Sequence, residues 1–234
     1  MNYIDYLVLI ILFISALYGI YNGFVVSVLG FLSFCISWAG SLLFYPILSR
    51  LLVNKYPDLL DRIIHFTEGA SRIESIEERA TSVFSLNHEQ IANIVDRAKL
   101  PPPFNRLVFS NLNELRFNDL NNIGDYFDHT IACIILNMLC FLLLFVVIRI
   151  VCTVIISIAK EVIGLPVLKR YDQIFAAALG ILNGMFLIFF LASLVPMVLT
   201  LAPFDNIYKY IENSMFGNFF FEYNIFTNLV RGYL

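Results

Sequence analysis

The stretch DYLVLIILFISALYGIYNGFVVSVLGFLSFCISWAGSLLFYPILSR, residues 5–50, carries no charged side chain between its first residue and its last. A helix crosses the apolar core of a bilayer in about 20 residues. This stretch is about twice that length, so it predicts two spans rather than one, over roughly 6–21 and 24–48. Asn22-Gly23 lies where the connection has to be. Both residues tolerate positive φ, and a glycine also closes the C-terminus of a helix.

The intervals from Asp128 to Arg149 and from Asp172 to Asp205 are likewise free of charge, which raises the expectation to four spans. Composition agrees: 59% hydrophobic residues, 14% charged residues and a mean hydropathy of +0.79 place the chain among membrane proteins. The opening MNYID has an acid where a secretory signal has its basic region, so the first span is read as retained. The fold expected is all-α, a polytopic membrane protein with four transmembrane helices, a long middle loop and a C-terminal tail. The divisions fall at 1–48, 49–129, 130–203 and 204–234. A net charge of -3 without any dense Lys/Arg run gives no support for a nucleic-acid partner. The bilayer itself is the partner implied, together with a possible membrane or secretion protein. Cys35, Cys133, Cys140 and Cys152 all lie in apolar stretches, where packing is their expected role and no metal site or disulfide framework is. No cofactor is implied.

Two near-copies, GIYNGF at 19–24 and GILNGM at 180–185, hold the small residues together. Ser15, Gly19 and Gly23 are spaced by four, as are Ala176, Gly180 and Gly184, and as are Ser33, Ser37 and Ser41. Such spacing puts small side chains on one helix face and lets a neighbouring backbone approach closely. The first copy is expected to end a helix; the second lies inside a span, because apolar sequence continues to Ala202. The alternative for these faces is a substrate pathway. Arg149 is the one ionisable residue inside an expected span, near the end facing the third loop, where its stem can snorkel to the headgroups. A substrate contact or a buried structural pair is the other possibility for it. Asn137 and Asn183 are expected to hydrogen-bond between helices.

The middle loop has helical signals of its own. PDLLDRIIHF at 57–66 has apolar residues at helical spacing, and Asn87 with Gln90 makes a capping box that opens a helix with Ile91, Ile94, Val95 and Ala98 on its apolar face. Lys99-Leu-Pro-Pro-Pro stops that helix. These helices either lie on the membrane or fold on each other. After Pro203 the tail repeats apolar residues near a 3.6 period, and Phe204, Tyr208, Phe216, Phe219, Phe220, Tyr223 and Phe226 suit an interfacial helix that Gly217 bends or divides. Lys160, Lys169 and Arg170 put the third loop in the cytoplasm by the positive-inside rule, with both termini and the middle loop outside; Arg50, Lys55, Arg62 and Arg116 weigh against this.

Catalytic motifs are missing. His88-Glu89-Gln90-Ile91-Ala92 starts like a zinc-protease helix but has Ala where the second His would bind metal, and Glu77-Glu78 lies in a polar loop. There is no nucleophile elbow and no phosphate-binding glycine loop. The chain is read as a non-enzyme.

Asp5, Ser15, Gly19, Gly23 and Phe24, combined at these separations with Gly164-Leu165-Pro166, Asp172, Gly180 and Gly184, resemble the colicin V production protein (CvpA) family over roughly residues 1–200, discontinuously. The resemblance implies four spans, a bacterial inner-membrane location and a role in toxin production or export. Asn22 stands where members often have a basic residue, the middle loop is longer, and the amphipathic tail looks like an addition. Two functions follow: a non-enzymatic component of secretion or envelope upkeep, or a small-solute channel or carrier using the faces around Arg149 and Asn183. The oligomeric state is not legible.

Overall fold

The structure, a computed structural model, describes residues 2–117, 119–163, 172–201 and 205–234, with the backbone alone described at 160–163, 172, 201 and 205–208. Its helices are α1 (Tyr3–Lys55), α2 (Asp58–Thr67), α3 (Ile76–Ala80), α4 (His88–Arg97), α5 (Phe104–Asn113), α6 (Ile123–Ile163), α7 (Asp172–Leu201), α8 (Asp205–Glu212) and α9 (Met215–Glu222). Among the described residues there is no strand, only an isolated bridge between Ser82 and Asn122. Among the described residues three helices, rather than four, are long and apolar enough to cross a membrane: Tyr3–Lys55, Ile123–Ala159 and Gln173–Thr200.

The first of these is broken. Gly23 has φ 78 and ψ 171, a conformation that belongs to glycine alone and that interrupts the helix between arms 3–22 and 24–55. The Ser27 hydroxyl donates to the Gly19 carbonyl at 3.2 Å. Residues eight apart on an unbroken helix are about 12 Å apart along its axis, so this bond requires the chain to fold back. The pairings along α7 give the same geometry. In the first arm Gly19 lies against Ala176 and Gly180 while Ser15 lies against Gly184, an antiparallel run. In the second arm Phe24 meets Phe175, and Phe31 and Phe34 meet Phe186, a parallel run. The two arms of α1 are therefore antiparallel to each other, reversing at Asn22-Gly23, whose Asn22 amide ties back to the Tyr18 carbonyl at 2.9 Å.

Two compact units divide the chain: Met1–Phe44, Phe141–Leu194 and Phe204–Phe226 form one, and Tyr45–Cys140, Val195–Pro203 and Thr227–Leu234 the other. The expected divisions at 48, 129 and 203 follow hydropathy, whereas the units cut through α1, α6 and α7.

In the first unit the centre is aromatic. Phe226 is fully buried with its ring 5.3–6.2 Å, centroid to centroid, from those of Phe34, Phe141, Phe145 and Phe190. Phe34 also stacks on Phe186 at 4.4 Å. The tail is thus not simply an interfacial helix. Phe220 and Phe226 are buried and Asn224 donates to the Phe189 carbonyl, while Phe219 and Tyr223 remain exposed. An apolar face of period 3.6 suits a protein groove as well as a lipid surface, and here part of it is buried in the protein. Phe204 and the Tyr208 side chain lie outside the described residues. The tail is divided at Asn213-Ser214 rather than at Gly217, because the Ser214 hydroxyl caps α9 by accepting from Gly217 N–H.

In the second unit α4 opens with the expected capping box, Asn87 and Gln90 each accepting from the other's backbone N–H. It packs on α5, and Ile91, Ile94 and Val95 are buried on one helix as Phe104, Val108 and Leu112 are on the other. Of the two expected loop helices, α4 thus folds on a helix of the same region, whereas α2 buries Thr67 and leaves Phe66 exposed. α6 begins at Ile123, earlier than the expected Thr130, because Asn122 caps it by accepting from Asp125 N–H at 2.8 Å and because Tyr126 and Phe127 are fully buried. Arg72 donates to the carbonyls of Leu199 and Thr200, at 3.3 and 2.9 Å, and so satisfies the C-terminal end of α7. Glu114, next to α5, accepts from the Ser110 hydroxyl and pairs with Arg116, which together hold its carboxyl below the usual range.

Candidate functional site

The two Gly-Ile-X-Asn-Gly copies meet in the first unit. A methyl group on Gly19 would collide with the Ala176 carbonyl and stand 3.0 Å from the Gly180 Cα; one on Gly180 would collide with the Ser15 carbonyl, and one on Gly184 would stand 2.7 Å from the Ser15 hydroxyl. Ser15, Gly19, Ala176, Gly180 and Gly184 therefore form a seam in which the first arm of α1 and α7 touch backbone to backbone. Gly23 is not part of it. Nothing lies within 4 Å of the place its Cβ would take, so its requirement is conformational and the packing falls to Gly19. Ser33, Ser37 and Ser41 form a buried row in the second arm. Ser37 donates to the Ser33 carbonyl and Ser41 to the Ser37 carbonyl, one turn back in each case.

Arg149 turns toward the second arm of α1. Its Nη1 donates to the Gly30 carbonyl at 2.8 Å and to the Ser33 hydroxyl at 2.6 Å, and the guanidinium lies 5.7 Å from the Phe34 ring centroid. The described residues give it neutral partners and no carboxylate. A charged side chain in the middle of a membrane helix costs roughly 2.5–3.5 kcal/mol even by insertion scales, and two neutral acceptors with one aromatic face offset part of this cost.

Beside Arg149 lies a cavity of about 510 Å³. Ser15, Gly19, Asn22, Ser27 and Asn183 contribute to its walls on one side and Thr153 on another, with Phe34, Phe145, Leu187 and Phe190 supplying much of the apolar lining. Asn183 points its Nδ2 toward the Ser27 carbonyl at 3.5 Å, and its Oδ1 is shielded from solvent with no partner among the described residues. One cation and one incompletely satisfied amide in a mostly apolar hollow can hold an anionic group; the surrounding side chains offer no nucleophile and base pair. Among the described residues no cluster of three or more His, Cys, Asp or Glu could hold a metal ion, and the four cysteines are unbridged.

Asn137 lies elsewhere, in the second unit, and its partners are not a neighbouring helix. Its Nδ2 donates to the Arg231 and Tyr233 carbonyls at 2.9 and 3.0 Å. Asn111, which carried no sequence signal, likewise holds the Gly232 carbonyl at 2.7 Å.

A further anchor is Asp5, buried in the first unit. Its carboxylate accepts from Asn2 N–H at 2.7 Å, from the Ser214 hydroxyl at 2.7 Å and from Phe216 N–H at 3.0 Å, which joins the start of α1 to the start of α9. A lone acid at the edge of a long apolar stretch, shared with the family pattern, was the signal for it; Ser214 and Phe216, more than 200 residues away, had none.

Compared with known proteins, the chain matches the family model described as colicin V production protein over residues 4–76 and 121–224. The match runs through most of the tail, so the tail to residue 224 is part of the family pattern and not an addition to it, while residues 77–120 of the middle region fall outside. No curated protein and no solved structure matches the chain.

Proposed function

The chain belongs to the colicin V production protein family, and from that premise we propose that it is a non-enzymatic component of the bacterial inner membrane that supports toxin production or export, or upkeep of the envelope. The observation that carries this is the seam of Gly19 and Gly180, where two helices approach to backbone contact. Helices closed on each other at that distance leave no water-wide path along this seam, and close packing of this kind suits a scaffold that presents surfaces to a partner. The reversal at Gly23 supports four spans, an even number with both termini on one side. Lys160, Lys169 and Arg170 favour a cytoplasmic third loop by the positive-inside rule, hence termini and middle region outside.

Photo-crosslinking in native membranes from exposed positions such as Leu43 and Phe66 tests this. Recovery of a defined secretion or envelope protein supports the scaffold; an absence of any partner at both positions counts against it.

The cavity beside Arg149 favours a second function, a small-solute carrier or channel. Flux into liposomes that contain the purified chain and that is lost in Arg149→Leu would replace the scaffold with the carrier.

A further inference from the structure

We propose that the cavity beside Arg149 is a binding site for a single-chain amphiphile with a carboxylate head, a fatty-acid-type anion that enters from the hydrocarbon of the membrane. The site does not depend on whether the protein is a scaffold or a carrier.

Charge is the first ground. Both hydrogen bonds of Arg149 leave from Nη1, so the Nε and Nη2 hydrogens have no partner among the described residues. A guanidinium has five N–H donors in a planar fork that matches a carboxylate two bonds at a time. Asn183 lines the same cavity, and its amide nitrogen, the group of that side chain that can donate to a carboxylate, makes only a long contact to Ser27. A carboxylate seated on the fork would neutralise the cation and accept from the Asn183 amide.

Shape and surroundings are the second. The lining is mostly apolar, and at 510 Å³ the cavity lies within the range of about 300–1,000 Å³ typical of small-molecule sites. Tyr18, Val146 and Ile150 line it and are exposed on the outer face of an apolar helix bundle, so its mouth opens toward lipid chains. A hydrophilic anion would have to leave water to reach that mouth; an amphiphile is already dissolved in the membrane with its chain beside the apolar wall. The head is a monoanion because one cation is present. A phosphate monoester carries a charge of about -1.5 to -2 at neutral pH and would bring uncompensated charge into a low-dielectric site.

The full chain in detergent micelles is irradiated with hexadecanoate bearing a diazirine at its chain end, and the labelled residues are mapped by mass spectrometry. Hexadecanoate, hexadecanol, hexadecyl phosphate and hexadecyltrimethylammonium compete for the label. The expected result is labelling of cavity-lining positions such as Val146, Ile150 and Leu187, with hexadecanoate competing at a concentration about tenfold or more below that of the alcohol and the cation, as a charge-assisted bidentate pair would give. Arg149→Leu loses most of the label, and Arg149→Lys, which keeps the charge but not the fork, lies between Arg149→Leu and wild type. Ile150→Trp, which narrows the mouth from an exposed position and leaves every hydrogen bond of Arg149 in place, lowers labelling at an unchanged melting temperature; it decides the matter if Arg149→Leu fails to fold. Competition by hexadecanol equal to that by hexadecanoate, label outside the cavity, or undiminished labelling in Ile150→Trp overturns the site. Hexadecyl phosphate competing as well as or better than hexadecanoate overturns the carboxylate assignment.

Discussion

Gly19 and Gly180 touch through their backbones: a methyl group added to Gly19 would come within 3.0 Å of the Gly180 Cα and run into the Ala176 carbonyl. No side-chain rotation relieves that contact, because atoms of the main chain stand on both sides. Gly19→Ala and Gly180→Ala should each lower the unfolding free energy in micelles by about 1–3 kcal/mol, the usual cost of overpacking. The double variant should cost less than the sum, since both methyl groups force the same helices apart. Additive or negligible effects in a denaturant titration would remove the seam as a stabilising contact.

Gly23 should respond differently. Its φ of 78 with ψ of 171 is strained for any other residue, and the space around its missing side chain is open. Gly23→Ala is expected to cost about 1–3 kcal/mol through the backbone alone, and Gly23→Leu hardly more. At Gly19 the larger side chain should be far worse than alanine. Equal sensitivity to side-chain size at the two positions in the same titration would contradict the division of roles.

The reversal can be read from sidedness. In a cysteine-free background, Asn22→Cys and Glu77→Cys should be labelled by a membrane-impermeant maleimide from opposite faces of the membrane, since one lies at the hairpin turn and the other in the exposed middle region. Labelling of both from the same face would be incompatible with four spans.

Asp5→Ala would strand three donors, the Ser214 hydroxyl and the N–H groups of Asn2 and Phe216. Unsatisfied donors of this kind cost about 1–3 kcal/mol each when buried. The effect should be local: faster hydrogen exchange at residues 214–218, with exchange along α7 unchanged. Asp5→Asn, which keeps an acceptor oxygen for Ser214 and Phe216, should lie between wild type and alanine.

Much of this architecture is visible in the residues themselves, for reasons that differ along the chain. Spacing by four puts Ser15 with Gly19, and Ala176 with Gly180 and Gly184, on one face of a helix whatever the surroundings, and these are residues that meet. Asn22-Gly23 is a local signal because it concerns φ at one position. α5 is masked by Pro101-Pro102-Pro103, which reads as a stop, although Phe104, Leu107, Val108 and Leu112 just after it recur at helical spacing. The early start of α6 was hidden by Asp125, Asp128 and His129, which interrupt the apolar run although Tyr126 and Phe127 are fully buried. Arg149 looked close to a helix end because hydropathy does not report which way a guanidinium turns; Gly30 and Ser33, which hold it, are more than 100 residues earlier. The tail misled for a related reason, since lipid and a ring of phenylalanines select the same apolar face.

Phe226 gives the bundle an order of assembly. Chains are made from the N-terminus onward and fold as they emerge, so Phe34, Phe141, Phe145 and Phe190 are already in the membrane before the ring that lies among them has been translated. Until then the centre of the first unit lacks a phenyl ring between the three helical segments that supply the others, the second arm of α1, α6 and α7. Phe226 thus acts as a latch that closes after the helices it joins have been made, and a variant without that ring, such as Phe226→Ala, would be left ajar at the centre of the unit.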